Sequence, residues 1–227
     1  MQRVYNGLIF DVDGTLFDIT EYIPVFRDLM ADAVYDLTGR RHKFSVNEGY
    51  IPFTLPPDES TRFLEETWGI QNPEQFWKRV EELDMQKRMQ LIEMLKLFPD
   101  VEALRHLNGD FRCGILSNTP ANIVKLQMDH YRMGDVFEDV LCASYKTELS
   151  KPGTKGLEIL LARMGLKMNE IVYIGDSDVD HELCRNAGIP FIRVERDHSH
   201  HYTFENDHVV IDGFHQLGGA LHEMQVR

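Results

Sequence analysis

The sequence predicts an α/β protein with a doubly wound parallel sheet and a block of helices inserted after its first strand. Two observations lead to this fold. Short apolar runs alternate with segments of helical period over most of the chain, which is typical of parallel strands joined by crossover helices. By contrast, a stretch of roughly 75 residues near the N-terminus is helical in period and contains no clear strand.

Six apolar runs bounded by Gly, Asp, Ser or Pro are the predicted strands. They are GLIF (7–10), CGILS (113–117), VLCAS (140–144), IVYIG (171–175), FIRV (191–194) and HVVI (208–211). Near-continuous apolar runs indicate strands that are buried on both faces of the sheet. Between the later runs lie helical segments; one of them places Leu157, Leu160, Leu161 and Met164 on one face and ends at Gly165.

The helical block follows the first strand directly and contains three segments of helical period. These segments are YIPVFRDLMADAVYDLTG, DESTRFLEETWG and NPEQFWKRVEELDMQKRMQLIEMLKL. Asp58 and Asn72 are the expected N-caps of the second and third helices, with Pro73 early in the third. We therefore predict a small helical domain at 18–93 and an α/β core made of 1–17 and 94–227. The large apolar side chains of the block are expected to pack on one another: Trp68, Phe76, Trp77 and Met85.

The composition of the 227-residue chain excludes several kinds of partner. A net charge of −13 argues against nucleic acids and anionic membranes as main partners. No targeting peptide is visible and no apolar segment approaches the roughly 20 residues that span a bilayer, so we expect a soluble, cytoplasmic protein. Cys113, Cys142 and Cys184 form no CxxC pair, which favours buried free thiols in a reducing compartment. Nothing in the sequence indicates an oligomeric state.

Polar side chains follow four of the predicted strands at the point where each strand ends. Ligands of parallel α/β sheets bind outside the carboxyl ends of the strands, so we expect these side chains to converge. They are Asp11 and Asp13 after GLIF, Ser117, Asn118 and Thr119 after CGIL, Ser150 and Lys151 beyond VLCAS, and Asp176, Asp178 and Asp180 after IVYIG. The sequence thus predicts two acidic clusters, a hydroxyl and a lysine at one edge of the sheet.

Four segments, DVDGT, SNT, SKPG and GDSDVD, resemble in order and spacing the motifs of the haloacid dehalogenase superfamily of phosphohydrolases. The resemblance implies a Rossmann-like core, and the helical block resembles the cap domain of that superfamily. The C-terminal half, with CRNAGIPFI, is most similar to the phosphoglycolate phosphatase-like branch. The implied activity is a phosphatase that hydrolyses a small phosphorylated metabolite through an aspartyl phosphate.

The resemblance also implies a role for each motif residue. Asp11 is the expected nucleophile, and Asp13 is the expected general acid and then base, for which we expect a raised pKa. Lys151 is expected to add positive charge beside nucleophile and phosphate. The other implied phosphate-binding residues are Gly14, Thr15, Ser117 and Asn118. The implied cofactor is Mg²⁺, held by Asp11, the backbone carbonyl of Asp13, Asp176, and Asp180 as ligand or as hydrogen-bond acceptor.

Several alternatives stay open at this point. A sugar phosphomutase similar to β-phosphoglucomutase would share every core motif, although Thr15 leans weakly towards a phosphatase. A 5′-nucleotidase and a pyrophosphatase also fit the motifs. Asp13 argues against a 2-haloacid dehalogenase, whose branch lacks the second aspartate and the metal. The complete motif set argues against a non-catalytic binding protein.

Other polar segments have simpler interpretations. The acidic run that begins at Asp176 is not a calcium loop, because its sixth residue is His181 and its twelfth is Ala187. Asp178 is interpreted as a helix-start charge. The histidine-rich segment RDHSHHYTFENDH (196–208) is predicted to be a solvated surface loop. The basic residues Arg40, Arg41 and Lys43 are predicted to be solvated, with contact to a substrate anion as the alternative.

Overall fold

The computed structural model describes residues 5–107, 109–197 and 208–226. The strands of these residues are β1 (Gly7–Phe10), β2 (Phe17–Asp18), β3 (Lys96–Leu97), β4 (Arg112–Ser117), β5 (Asp139–Cys142), β6 (Ile171–Gly175), β7 (Phe191–Val194) and β8 (Val209–Ile211). Six of them form one sheet in the order β5-β4-β1-β6-β7-β8, and every neighbouring pair is parallel. Each of the six coincides with a predicted strand to within two residues, so the predicted α/β class is confirmed.

Helices cover both faces of this sheet. The helices are α1 (Ile23–Thr38), α2 (Val46–Thr54), α3 (Pro57–Thr67), α4 (Pro73–Gln90), α5 (Ala121–His130), α6 (Lys155–Met164), α7 (Asp178–Ala187) and α8 (Leu217–Val226). Leu8 and Phe10 of β1 pack in a cluster with α5 and α8, whereas Ile9 packs in a second cluster with α6 and α7. Successive strand residues point to opposite faces, so this division shows a doubly wound sheet.

The first four helices form the helical block around a cluster of their own. Trp68, Phe76 and Trp77 are buried in that cluster, whereas Met85 is only half-buried. Helix α2 was not predicted, because its nine residues include a glycine and Pro52 and show little helical period. A capping box stabilises its first turn, in which Ser45 and Glu48 bind each other's backbone amides.

Two details of the predicted block are wrong and one holds. Pro56 precedes α3 and Asp58 lies within the first turn, so Asp58 is not its N-cap. Asn72 does cap α4, since its side chain accepts a hydrogen bond of 3.0 Å from the amide of Gln75. Helix α4 ends at Gln90, earlier than predicted, and a 3₁₀ turn leads into β3.

A two-stranded ribbon joins the two ends of the helical block beside β1. Strands β2 and β3 are antiparallel, with Phe17 opposite Leu97 and Asp18 opposite Lys96. The ribbon starts close to the end of β1. The amide of Gly14 donates a hydrogen bond of 2.8 Å to the carbonyl of Phe17, which ties the turn after β1 to the first strand of the ribbon. The block therefore leaves the core beside the carboxyl edge of the sheet, while the domain boundaries at 18 and 93 stay a prediction.

The remaining predictions concern surface and burial. Among the described helices, none combines the length and the apolar character required to cross a membrane. Arg40, Arg41 and Lys43 are exposed. All three cysteines are free; Cys113 and Cys184 are buried, whereas Cys142 is half-buried. Of the predicted histidine loop, 198–207 lie outside the described residues.

Candidate active site

Three adjacent central strands bring the main polar residues to one place. Strand β1 lies between β4 and β6, with Ile115 and Ile174 opposite Phe10. Asp11 therefore follows β1 beside Ser117, the last residue of β4, and beside Asp176, which follows β6. Each of these three side chains is buried. The carboxyl edge of the sheet thus presents two carboxylates and a hydroxyl side by side.

Lys151 enters this group from the loop between β5 and α6. Its ammonium lies 2.7 Å from Asp11 Oδ1 and 2.6 Å from Asp180 Oδ1, and it also contacts the hydroxyl of Tyr173 at 3.2 Å. Burial alone would lower the pKa of Lys151, but the two carboxylates outweigh burial and raise it. The lysine therefore stays charged, so it can stabilise negative charge beside Asp11.

The acidic residues Asp11, Asp176 and Asp180 form a compact, buried cluster. One carboxylate oxygen of each lies within 4.8 Å of the others. Burial raises the pKa of Asp11 to about 8; Lys151 opposes this effect, and the carboxylates of Asp180 and Asp176 add to it. If all three acids ionise, they place more negative charge in this desolvated position than one ammonium can offset, and the raised pKa of Asp11 reflects that cost. This oxygen-only donor set fits a hard divalent cation.

Asp180 has both of its oxygens engaged by protein donors. Oδ1 accepts from Lys151, and Oδ2 accepts from the Ser177 hydroxyl at 2.7 Å and the Ser177 amide at 3.2 Å. Gly175 allows this close approach, because a Cβ at that position would lie 2.5 Å from Asp180 Oδ2. Of the two interpretations of Asp180, the geometry favours the acceptor that orients Lys151. Asp178 lies in the first turn of α7, where the helix-start interpretation placed it.

Thr15 and Gly14, both predicted to bind phosphate, have polar groups that are bound within the protein. Thr15 is fully buried and its hydroxyl donates to Asp176 Oδ1 at 2.7 Å, so it orients a carboxylate. Gly14 adopts a left-handed φ of 87°, which explains the glycine, but its amide is bound to Phe17. These contacts give no support to phosphate binding by the Thr15 hydroxyl or the Gly14 amide, and phosphate binding by the two residues stays a prediction.

Asn118, also predicted to bind phosphate, has its carboxamide bound within the protein. Its carboxamide accepts from the Lys151 amide at 2.7 Å and donates to the Lys151 carbonyl at 3.0 Å, so both of its polar atoms hold the lysine loop. Ser117 lies at the site, where its hydroxyl oxygen accepts from the Thr119 amide at 3.1 Å. That hydroxyl keeps its proton for another acceptor, as a phosphate-binding group requires.

Asp13 lies apart from the acidic cluster and faces the helical block. Arg88 of α4 donates to both oxygens of its carboxylate, at 2.9 Å and 2.7 Å. From the core, Gln127 donates to Oδ1 and Thr119 to Oδ2, each at 3.0 Å. The structure therefore does not bring the side chain of Asp13 to the acidic cluster. The metal ligand that the resemblance implied at this position was the backbone carbonyl of Asp13.

The pKa of Asp13 departs from the expectation. Burial works against ionisation, but the Arg88 guanidinium, with the hydrogen bonds from Gln127 and Thr119, outweighs burial and lowers the pKa. The expected raised pKa is therefore wrong for this arrangement. The cause is an arginine that the sequence interpretation did not connect to the site.

Four residues of the site were missed as functional candidates: Arg88, Gln127, Tyr173 and Tyr145. Arg88 and Asp84 are four residues apart in α4, a spacing at which a helical ion pair forms, and this spacing was the available signal. Gln127 lies in a helical run and Tyr173 in an apolar strand, whereas Tyr145 lies in the loop after β5; none of the three patterns gives a sign of a polar role.

Comparisons with known proteins test the family resemblance. A model of haloacid dehalogenase-like hydrolases matches residues 8–194. A phosphoglycolate phosphatase from Cereibacter sphaeroides is 23% identical over 216 residues, and the match covers 89% of this chain and 90% of that protein. The predicted resemblance to the superfamily and to its phosphoglycolate phosphatase-like branch is thus confirmed, as is the prediction of an enzyme.

Solved structures show the same fold over nearly the whole chain. CbbY from Rhodobacter sphaeroides in complex with phosphate has a TM-score of 0.74 at 18% identity, covering 95% of this chain and 97% of that one. A haloacid dehalogenase (HAD) phosphatase from Thermococcus onnurineus has a TM-score of 0.64 at 21% identity, with the same coverage of 95% and 97%. At such identities the likeness establishes the fold.

Proposed function

The chain belongs to the haloacid dehalogenase-like hydrolase family, and from that premise we propose that it is a Mg²⁺-dependent phosphatase of small phosphomonoesters. The observation that carries the proposal is the contact between Asp11 and Lys151 at the carboxyl edge of β1, beside Asp176 and Ser117. A buried carboxylate next to a fixed cation and a hydroxyl is the equipment of covalent phosphoryl transfer.

In the first step, a carboxylate oxygen of Asp11 attacks phosphorus while the bond to the leaving oxygen breaks. The electron pair of that bond stays on the leaving oxygen, which takes a proton from Asp13 and departs as an alcohol. Lys151 and Ser117 stabilise the phosphoryl oxygens during transfer, one by charge and the other by a hydrogen bond. The product on the enzyme is an aspartyl phosphate at Asp11.

In the second step, a water molecule gives a proton to the Asp13 carboxylate as its oxygen attacks phosphorus. The bond between phosphorus and the Asp11 oxygen breaks, which releases inorganic phosphate and restores the Asp11 carboxylate. Asp13 ends this step with the proton that it lost in the first, so the cycle is balanced. Arg88 favours the ionised state of Asp13, which is the state that this step needs; the first step needs the protonated state and has to form it against the effect of Arg88.

Mg²⁺ is the cation that suits the acidic cluster best, since carboxylates and water are its preferred ligands. Asp11 and Asp176 would hold it with the backbone carbonyl of Asp13, and Thr15 would fix the orientation of Asp176. When bound, the cation supplies positive charge that offsets the carboxylates and the phosphate. Asp180 would serve mainly by holding Lys151.

The substrate is proposed to be a small phosphorylated metabolite, with phosphoglycolate as the first compound to assay. The support for phosphoglycolate is the matching relative of that activity, which covers 89% of this chain. The helical block, attached through the β2–β3 ribbon, is proposed to act as the cap that excludes water and selects the leaving group. The proposed domain boundaries are 18 and 93.

The test measures phosphate release from phosphoglycolate and from p-nitrophenyl phosphate in MgCl₂. Wild-type protein is expected to turn over at least one of the two, and Asp11→Asn is expected to lose about 10⁴-fold in kcat or more. Asp178→Asn is the matched control, because Asp178 lies two residues from Asp176 and outside the acidic cluster. Equal rates for wild type and Asp11→Asn would overturn the proposal. In a parallel incubation with a sugar phosphate, isomerisation without phosphate release would identify a mutase.

A further inference from the structure

Arg196 ties the turn after β1 to the segment that follows β3. It lies two residues beyond the end of β7, and its side chain is buried. Nη2 donates to the backbone carbonyl of Thr15 at 3.0 Å, whereas Nη1 lies 3.1 Å from both carboxylate oxygens of Asp100. Strand β6 lies between β7 and β1 in the sheet, so this side chain bridges the ends of two strands that are not neighbours.

The guanidinium of Arg196 is itself held by several groups. Its Cζ lies 3.9 Å from the ring centre of Phe98 and 5.3 Å from that of Phe214. Asp100, its carboxylate partner, also accepts a hydrogen bond of 2.8 Å from the amide of Phe214. A buried arginine is costly unless its charge is paired, and a carboxylate together with aromatic faces meets that need. The core therefore fixes the position from which Arg196 binds Thr15.

Thr15 links Arg196 to the acidic cluster, because its backbone and its side chain have different partners. Its carbonyl accepts from Arg196, while its hydroxyl donates to Asp176 Oδ1 at 2.7 Å. Threonine is branched at Cβ and has few rotamers, so the direction of its hydroxyl follows the position of its backbone. A shift of the Thr15 backbone would therefore change the hydrogen bond that orients the Asp176 carboxylate.

A second contact holds the same turn from the ribbon. The amide of Phe98 donates to the carbonyl of Leu16 at 3.0 Å, so consecutive carbonyls of the turn are bound by Arg196 and by Phe98. Loss of Arg196 would leave the contact at Leu16 in place. We therefore expect a small displacement centred on Thr15, which changes the orientation of its hydroxyl and keeps the fold.

We infer that Arg196 is a positioning residue for the acidic cluster, which it reaches through Thr15. By holding the Thr15 carbonyl it sets the direction of the Thr15 hydroxyl and, with it, the orientation of Asp176. This role rests on the proposed function, because it concerns a carboxylate of the proposed Mg²⁺ site. Arg196 also belongs to the segment (196–208) predicted to be a solvated loop, and its burial shows that this prediction is wrong at this position.

The experiment measures Mg²⁺ binding without substrate, as the rise of Tm across a MgCl₂ series at constant ionic strength. A ligand that binds only the folded protein raises Tm by an amount set by its concentration and its Kd, so the series yields the Kd for Mg²⁺. The Tm without Mg²⁺ reports the structural effect of a substitution. The two effects are therefore read separately from one set of curves.

Arg196→Met is expected to raise the Kd for Mg²⁺ about fivefold, less than the usual cost of losing a direct partner of a metal ligand. Arg196→Lys keeps the charge beside Asp100 but loses the fork that also reaches Thr15, so it protects folding and should raise the Kd about threefold. Arg105→Met is the control and should leave the Kd unchanged. Arg105 lies in the same 3₁₀ segment as Asp100 (Pro99–His106) and pairs at the surface with Glu102.

A double variant tests whether Arg196 acts through Thr15. Thr15→Val alone removes the hydroxyl and should raise the Kd about tenfold. Arg196→Met combined with Thr15→Val should also stay near tenfold, because the hydroxyl that Arg196 positions is already absent. Two independent effects would instead multiply to about fiftyfold.

Each outcome bears on one claim. A raised Kd in both Arg196 variants, without a further rise in the double variant, supports the positioning role. An unchanged Kd in both variants, or a multiplied effect in the double variant, overturns it while the response of the wild type to Mg²⁺ upholds the metal site. A wild type whose Tm does not respond to Mg²⁺ would overturn the proposed metal site, and the role of Arg196 with it. A wild type that binds Mg²⁺ but releases no phosphate would overturn the proposed activity alone.

Discussion

Asp11 and Asp13 are separated by one residue, yet their carboxylates take their partners from different regions of the molecule. Asp11 is held by the core, through Lys151 at the carboxyl edge of the sheet. Asp13 is held by the helical block through Arg88, with help from the core. Burial and neighbouring acids raise the pKa of Asp11, whereas Arg88 outweighs burial and lowers that of Asp13. Neighbouring residues of one turn thus acquire different chemistry from different surroundings.

The edge around Asp11 depends most on the ammonium of Lys151, so Lys151→Met is expected to have the larger effect. Removing the ammonium takes away the ion pairs of two buried carboxylates, Asp11 and Asp180, and the free energy of unfolding should fall by about 3 kcal/mol without Mg²⁺. Turnover should fall by about 10³-fold. Chemical denaturation and steady-state assays give the two values. Lys155→Met, which removes an exposed pair with Glu148, is the control and should change neither.

An unchanged stability of Lys151→Met would contradict the account of this edge. It would mean that the carboxylates do not rely on the lysine for their burial, and the contacts at 2.7 Å and 2.6 Å would carry little energy.

Asp13→Asn sharpens the comparison, because it changes the second carboxylate and leaves the first in place. We expect kcat/KM on benzyl phosphate to fall by about 10²-fold to 10³-fold, since the proton donor is lost. The Mg²⁺ concentration for half-maximal activity should stay the same, because the Asp13 side chain lies outside the acidic cluster. A Mg²⁺ titration of the residual activity measures this concentration. If Asp13→Asn raised it as much as Asp176→Asn does, the Asp13 carboxylate would be shown to bind the metal.

Much of the Asp11 region could be predicted from the sequence, and little of the Asp13 region. Asp11, Ser117 and Asp176 each follow an apolar run, and parallel strands place their carboxyl ends at one edge. Lys151 came from the family motif. Arg88 lies 75 residues from Asp13, and the packing of α4 against the core decides their contact. No local period or cap encodes such a contact. The sequence pattern therefore predicted helix α4 but not the contact of its Arg88 with Asp13.

Thr15 illustrates the same limit within a motif. The resemblance placed it among the phosphate-binding residues, but the ribbon that follows Gly14 turns its hydroxyl inward to Asp176. The motif pointed to Thr15, but the direction of its side chain could be known only from the fold.

Thr15→Val is expected to have the smallest effect, and it tests whether the Thr15 hydroxyl holds Asp176 in place. The hydroxyl that orients Asp176 is lost while the shape of the side chain is kept. We expect the Mg²⁺ requirement for half-maximal activity to rise about tenfold, with kcat at saturating Mg²⁺ changed less than about threefold. Thr38→Val removes a hydroxyl bound to a helix carbonyl far from the site and is the control. An unchanged Mg²⁺ requirement in Thr15→Val would remove Thr15 from the metal site.

The division of work between Asp11 and Asp13 is tested most directly by trapping the phosphorylated enzyme. Asp13→Asn protein is mixed with p-nitrophenyl phosphate and Mg²⁺, quenched in acid, digested and analysed by mass spectrometry. The leaving group needs no proton, so the first step proceeds, and the second step stalls without its base. We predict one added phosphoryl group on the peptide that contains Asp11, released slowly over time. A wild type that turns over the substrate while Asp13→Asn carries no phosphoryl group, or carries it on another residue, would contradict the account.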